Sequence, residues 1–177
     1  TFIYKILGGA AEEGKDIDSL ISLGERVRDG TRTLGVAVAP GVSPLTGKAM
    51  FDLLENRIFI GMGVHGEPGL GQREIGPVQE VVDEMMEMIL DDLPYKKGDR
   101  VIPFINGSGG TTLMELLIVY KEVSRCLTKK AISVSKPLVA EMVTTQEMAG
   151  FSISLLKIDE EMERLWLAPC SAPYFHL

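Results

Sequence analysis

The residues best placed for chemistry lie in one stretch, Arg57-Ile-Phe-Ile-Gly-Met-Gly-Val-His65-Gly-Glu67-Pro-Gly69. A β-patterned run empties into a glycine-rich loop whose reactive side chain is His65. Gly63, Gly66 and Gly69 permit positive φ and close backbone approach, and Pro68 restricts how far the loop rearranges. This pattern exposes an imidazole to a small molecule, as nucleophile or acid–base group. A histidine among glycines is equally compatible with a plain turn. Metal ligation has less support: the chain's other histidine, His176, is one residue from the C-terminus, and no Cys or acidic cluster stands at ligand spacing from His65.

Two further stretches resemble chemistry at first sight. Asn106-Gly-Ser-Gly-Gly-Thr111-Thr112 falls between a strand pattern and a helix pattern, where backbone N–H groups can cradle an anion. It lacks the lysine that a nucleotide-binding P-loop carries after its last glycine, which favours a tight turn with Thr111 as helix N-cap. Asp159, Glu160, Glu161 and Glu163 open a helix, where carboxylates complement the dipole, so they read as structural. No serine sits in a nucleophile-elbow context.

The elements that must position His65 follow from periodicity. Helical stripes at Ile3, Ile6, Leu7, Ala10 and Ala11, then at Ile17, Leu20, Leu23, Gly24 and Val27, predict a helical hairpin, with Asp16 capping its second member. Strands are expected at 31–39, 57–63, 100–106, 132–143 and 150–158. Between them lie a mostly irregular stretch from Val42 to Asn56, and a helix starting with Pro77 in its first turn. That helix faces the core with Val78, Val81, Val82, Met85, Met88 and Ile89. A helix over 111–128 carries Leu113, Leu116, Leu117 and Tyr120 inward, and a short helix covers 159–167. Strand 100–106, helix 111–128 and strand 132–143 form a β-α-β unit with a parallel crossover. Helices that could cover one face of five strands give an α/β fold, a two-layer sandwich with a mixed, mainly five-stranded sheet.

Composition sets the outer bounds. With 177 residues, 45% hydrophobic and 24% charged, the chain supports one domain, 1–177, with a real core. A net charge of −7 argues against nucleic-acid and acidic-membrane partners, and no apolar stretch is long enough to span a membrane. Cys126 and Cys170 form no CxxC motif and no signal peptide is in view, so both read as reduced thiols of a cytoplasmic protein, although a bridge is open to them. The chain opens Thr-Phe-Ile-Tyr-Lys, without Met and directly in a helical pattern, which reads as a piece of a longer protein.

The His65 loop, taken with its neighbours, resembles the substrate-binding subunit of dihydroxyacetone (glycerone) kinase. The family signature Gly-[Ile/Val]-His-Gly-Glu-Pro-Gly is intact here as Gly63-Val64-His65-Gly66-Glu67-Pro68-Gly69. Three other stretches agree: Gly98-Asp-Arg-Val-Ile102 leading to Asn106, Met148-Ala-Gly-Phe-Ser-Ile-Ser-Leu-Leu-Lys157, and Leu165-Trp-Leu-Ala-Pro169. The opening Lys5-Ile-Leu-Gly-Gly-Ala-Ala-Glu-Glu-Gly14 resembles the helix that begins the second, C-terminal half of such subunits.

The resemblance implies that a ring nitrogen of His65 adds to the ketone of dihydroxyacetone and holds it as a hemiaminal, with Gly63, Gly66 and Glu67 as the supporting loop. It implies no cofactor in this chain. Mg and ADP or ATP belong to a separate nucleotide-binding, phosphoryl-delivering subunit or domain, and the full-length subunit is a homodimer. Family subunits carry an N-terminal half with a second His-containing loop and an aspartate for proton transfer, and those residues are not in this sequence. The fragment alone is therefore expected to be inactive as a kinase. A second function fits the same resemblance: family paralogues bind dihydroxyacetone without catalysis and regulate transcription through a partner protein.

Overall fold

The period-two runs and the helical stripes assemble into one mixed sheet with helices on both faces. The structure, a computed structural model, describes residues 1–63 and 69–176. The elements in chain order are α1 (Phe2–Glu12), α2 (Ile17–Asp29), β1 (Thr31–Ala39), β2 (Arg57–Ile60), β3 (Gly71–Glu74), α3 (Val78–Asp92) and β4 (Arg100–Gly107). There follow α4 (Leu113–Lys129), β5 (Ser133–Val134), β6 (Leu138–Ala140), β7 (Ala149–Ile158), α5 (Glu160–Leu167), and a small hairpin of β8 (Ser171–Ala172) and β9 (Phe175–His176).

The main sheet has seven strands in the order β3-β2-β1-β7-β4-β5, with β6 also on β4. β5 and β6 run parallel to β4, as the β-α-β reading requires, and the other pairs are antiparallel. The α/β class and the mixed sheet are those read from the sequence, and the strand count rises from five to seven for two local reasons. The run 132–143 is split into β5 and β6 by Ser135-Lys136-Pro137, since proline cannot donate to a ladder. β3 is an edge strand of sequence Gly-Gln-Arg-Glu, whose residues show no apolar alternation to read.

The layers number three rather than two. Val101 and Ile105 of β4 and Phe151, Ile153 and Leu155 of β7 point toward α3 and α4, where Val82, Met85, Leu116 and Val123 are buried. The alternate residues Ile102, Phe104, Leu156 and Ile158 point the other way, onto Ile6, Leu23 and Trp166 of α1, α2 and α5. β4 and β7 are thus apolar on both sides, as strands covered twice must be. Each buried Leu, Ile or Met contributes about 1.5–3 kcal/mol relative to exposure.

Local details correct several expectations. Pro77 caps α3 from outside its first turn, and Thr112, not Thr111, caps α4. Leu113 and Leu117 are 58% and 50% exposed, and Met88 is 38% exposed; the inward stripe of α4 is Leu116, Val119, Val123 and Leu127. Asp16 caps α2 by accepting from the Ser19 N–H at 2.8 Å, as expected. Cys126 and Cys170 are free thiols.

Candidate functional site

The strand that delivers the candidate loop, β2, ends at Ile60, three residues short of the range read from periodicity. Beyond it the chain turns at Gly61, whose φ of +79° suits glycine. The Gly61 N–H donates to the Gly35 carbonyl at 2.7 Å, and the Leu70 N–H donates to the Ile60 carbonyl at 2.8 Å. The two limbs therefore meet at their base. A Cβ on Gly69 would lie 2.3 Å from the Ile60 oxygen and 2.6 Å from the Met62 nitrogen, so only glycine fits this neck. Gly63 is half-buried just beyond it. His65, Gly66 and Glu67, with Val64 and Pro68, lie outside the described residues.

The neck opens on a cavity of about 800 Å³ on the α1 side of the sheet, lined by Gly61, Met62 and Gly63 among others. Its floor exists because β7 changes character midway along this face. Toward its C-terminal end it presents Leu156 and Ile158 to α1, α2 and α5; nearer its start it presents Ser152 and Ser154, which those helices leave uncovered. In register beside Ser152 are Gly35 of β1 and Asn106 of β4, and beside Ser154 are Thr33 and Phe104. The Thr33 and Ser154 hydroxyls are hydrogen-bonded at 2.8 Å.

Asn106 is buried, and its side chain is held on three sides. Its Nδ2 donates to the Val143 carbonyl at 2.8 Å, and its Oδ1 accepts from the Met142 and Val143 N–H groups, each at 2.9 Å. Sequence reading treated Asn106 only as the start of a glycine-rich turn. The signal that could have found it is its place at the end of a buried apolar strand, where a carboxamide needs partners.

The turn after Asn106 is filled rather than open. A Cβ on Gly109, whose φ is +126°, would meet the Thr145 carbonyl at 2.6 Å, and one on Gly110 would meet the Glu147 carbonyl at 2.8 Å. The glycines accommodate the segment 145–149. Thr111 Oγ1 donates to the Gly150 carbonyl at 2.7 Å and accepts the Gly150 N–H at 2.8 Å. Thr112 and Glu115 form a reciprocal capping box. The acidic run is structural as read: Asp159 caps α5, Glu161 pairs with Lys15 and Arg26, and Glu163 pairs with Arg100. Lys15 and Arg26 hold the Glu161 carboxyl below its ordinary range. Among the described residues no group of His, Cys, Asp or Glu side chains is placed to hold a metal ion, and no helix is long and apolar enough to cross a membrane.

The Dak1 domain family matches residues 1–174. The chain belongs to that family. This Dak1 domain is 36% identical over 173 residues to the dihydroxyacetone-binding subunit of PTS-dependent dihydroxyacetone kinase 2 from Listeria innocua, covering 98% of this chain and 52% of the relative. It is 36% identical over 177 residues to the L-erythrulose kinase of Pectobacterium atrosepticum, covering 98% of this chain and 30% of the relative. Among solved structures, a dihydroxyacetone kinase operon co-activator superposes with a TM-score of 0.90 at 31% identity, covering 95% of this chain and 52% of that one. The Dak1 domain thus spans about half the length of the first of these relatives and less than a third of the second.

Proposed function

We propose that this Dak1 domain is the ketone-holding part of a dihydroxyacetone kinase and corresponds to the second half of the substrate-binding subunit. The observation that carries the reading is the intact Gly63–Gly69 signature on a loop whose neck admits only glycine, at the rim of a hydroxyl-lined cavity. In the reaction a ring nitrogen of His65 donates its lone pair to the carbonyl carbon. The C=O π pair moves to oxygen, which takes a proton, and the other ring nitrogen gives up its proton, leaving a neutral hemiaminal.

The chemistry suits a small polar substrate. A triose offers too few noncovalent contacts to be both bound and told apart from glycerol, whereas a C–N bond forms only with a carbonyl. Holding the ketone also fixes a terminal hydroxyl for in-line phosphoryl transfer, which depends chiefly on positioning. The phosphoryl group comes from a nucleotide-binding partner subunit or domain that holds Mg and ADP or ATP. The printed functions of the Listeria and Pectobacterium relatives support a kinase component.

A second reading, a ketone-binding regulator, is favoured by the co-activator's TM-score of 0.90. Both readings need His65. NMR of the His65 ring tests them together: dihydroxyacetone should shift its signals, glycerol should not, and His65→Ala should lose ketone binding while keeping its fold. Equal binding by variant and wild type overturns covalent capture. Phosphorylation of the bound ketone by a phosphoryl-delivering partner separates kinase from regulator.

A further inference from the structure

The cavity beside the neck is larger and more hydroxylated than a three-carbon ketone requires. Its volume of about 800 Å³ lies within the roughly 300–1,000 Å³ typical of sites for much larger ligands. The floor is built from side chains that hydrogen-bond without charge. Ser152 and Asn106 stand side by side on paired strands, so their Cβ atoms are about 5 Å apart. The next pair along the strands is Ser154 with Thr33, whose mutual hydrogen bond uses one O–H and leaves the other free to donate. Asn106 has one N–H engaged with Val143 and a second not used by its three bonds. Phe104, in register with Ser154, adds an apolar surface against which the carbon side of a polyol can lie.

The arginines at the rim are committed elsewhere. Arg28 is paired with Asp29, and Arg32 with Asp92 and with the carbonyls of Asp29 and Thr31. The floor therefore favours a neutral hydroxylated molecule over an anion.

We propose that this cavity reads the hydroxyl groups of ketoses longer than a triose, with Asn106, Ser152 and the Thr33–Ser154 pair as the specificity-determining groups. The proposal rests on ketone capture by the adjoining loop for its reaction, but the floor's recognition of hydroxyls does not depend on a carbonyl.

The experiment compares erythrulose, dihydroxyacetone and erythritol, the last having no carbonyl, by titration calorimetry and by backbone amide shifts of Gly35, Ser152 and Asn106. The expected result is that erythrulose binds more tightly than dihydroxyacetone and that the ratio of the two affinities falls about fivefold in Ser152→Ala and again in Thr33→Val, one hydrogen bond each. Erythritol should shift the three amides in wild type and in His65→Ala. An affinity ratio unchanged in both variants, or floor amides silent to erythritol and erythrulose, overturns the proposal. If the floor amides respond to erythritol while dihydroxyacetone fails to bind wild type, the covalent reading fails and the hydroxyl-reading floor stands.

Discussion

The Lys5 ammonium, in the second turn of α1, donates to the Leu165 carbonyl at 2.8 Å and to the Ala168 carbonyl at 2.7 Å, closing the C-terminal end of α5. The residue is only 8% exposed, so a charged group is spent on carbonyls that α5 leaves without helical partners. Lys5→Met keeps the stem and removes the donors; urea unfolding should show a loss of about 2–3 kcal/mol. Burial lowers the Lys5 pKa from its ordinary 10.5. The unfolded chain then binds more protons than the native one between the lowered value and 10.5. In that window Lys5 adds stability as pH rises and loses it as pH falls through the native value. Subtracting the Lys5→Met profile from wild type should reveal this slope.

Thr111 and Thr112 are neighbours with separate tasks, and their variants should separate them. Thr112→Ala removes the capping box of α4 and should cost about 1 kcal/mol in thermal unfolding. Thr111→Val removes the hydroxyl that serves both the N–H and the carbonyl of Gly150, and should cost about 1–3 kcal/mol while leaving α4 capped. Equal helix fraying by hydrogen exchange in both variants would contradict this division.

Gly69→Ala tests the neck. A methyl group there must displace the Ile60 and Met62 backbone, so the two limbs of the loop part. Ketone binding by calorimetry should drop sharply. Because the neck lies outside the two hydrophobic cores, the melting temperature should fall by much less than for Leu116→Ala, which opens a core cavity costing about 2–5 kcal/mol.

The two thiols should react at different rates. Burial, and then the Asp83 carboxylate that accepts from its Sγ at 3.0 Å, push the Cys126 thiol up to about 11. Near neutral pH a disulfide reagent should label Cys170 in the native protein and reach Cys126 only on unfolding. Its contribution to stability is whole below the ordinary thiol value of 9.0 and is lost as pH rises toward 11. Cys126→Ala should flatten that alkaline decline.

Much of the scaffold was legible because apolar periodicity is strong where packing is strong: β1, α2, β4, β7 and α5 fall close to the ranges the stripes predict. The failures have physical causes. β3 earns its place by backbone pairing alone, and Leu113, Leu117 and Met88 have the right chemistry for a core but the wrong phase on their helices. The second covered face was missed, although Ile102, Phe104, Leu156 and Ile158 alternate with apolar neighbours and so require cover on both sides. At the candidate site His65 was legible from its glycines. The Ser152–Asn106 floor was not, because it is made by register between strands far apart in sequence. The anion-cradle reading of 106–112 had to await the segment 145–149 that fills it.

Asn106 makes the cavity and the segment after β6 a single thermodynamic unit. Three of its side-chain bonds go to Met142 and Val143, and the remaining N–H belongs to the cavity. Occupancy there and order in residues 142–143 are therefore linked, and the linkage acts equally in both directions. A molecule gripping the outer surface of that segment would change ketose affinity without touching the ketose, giving a binding domain an output wire made from one carboxamide.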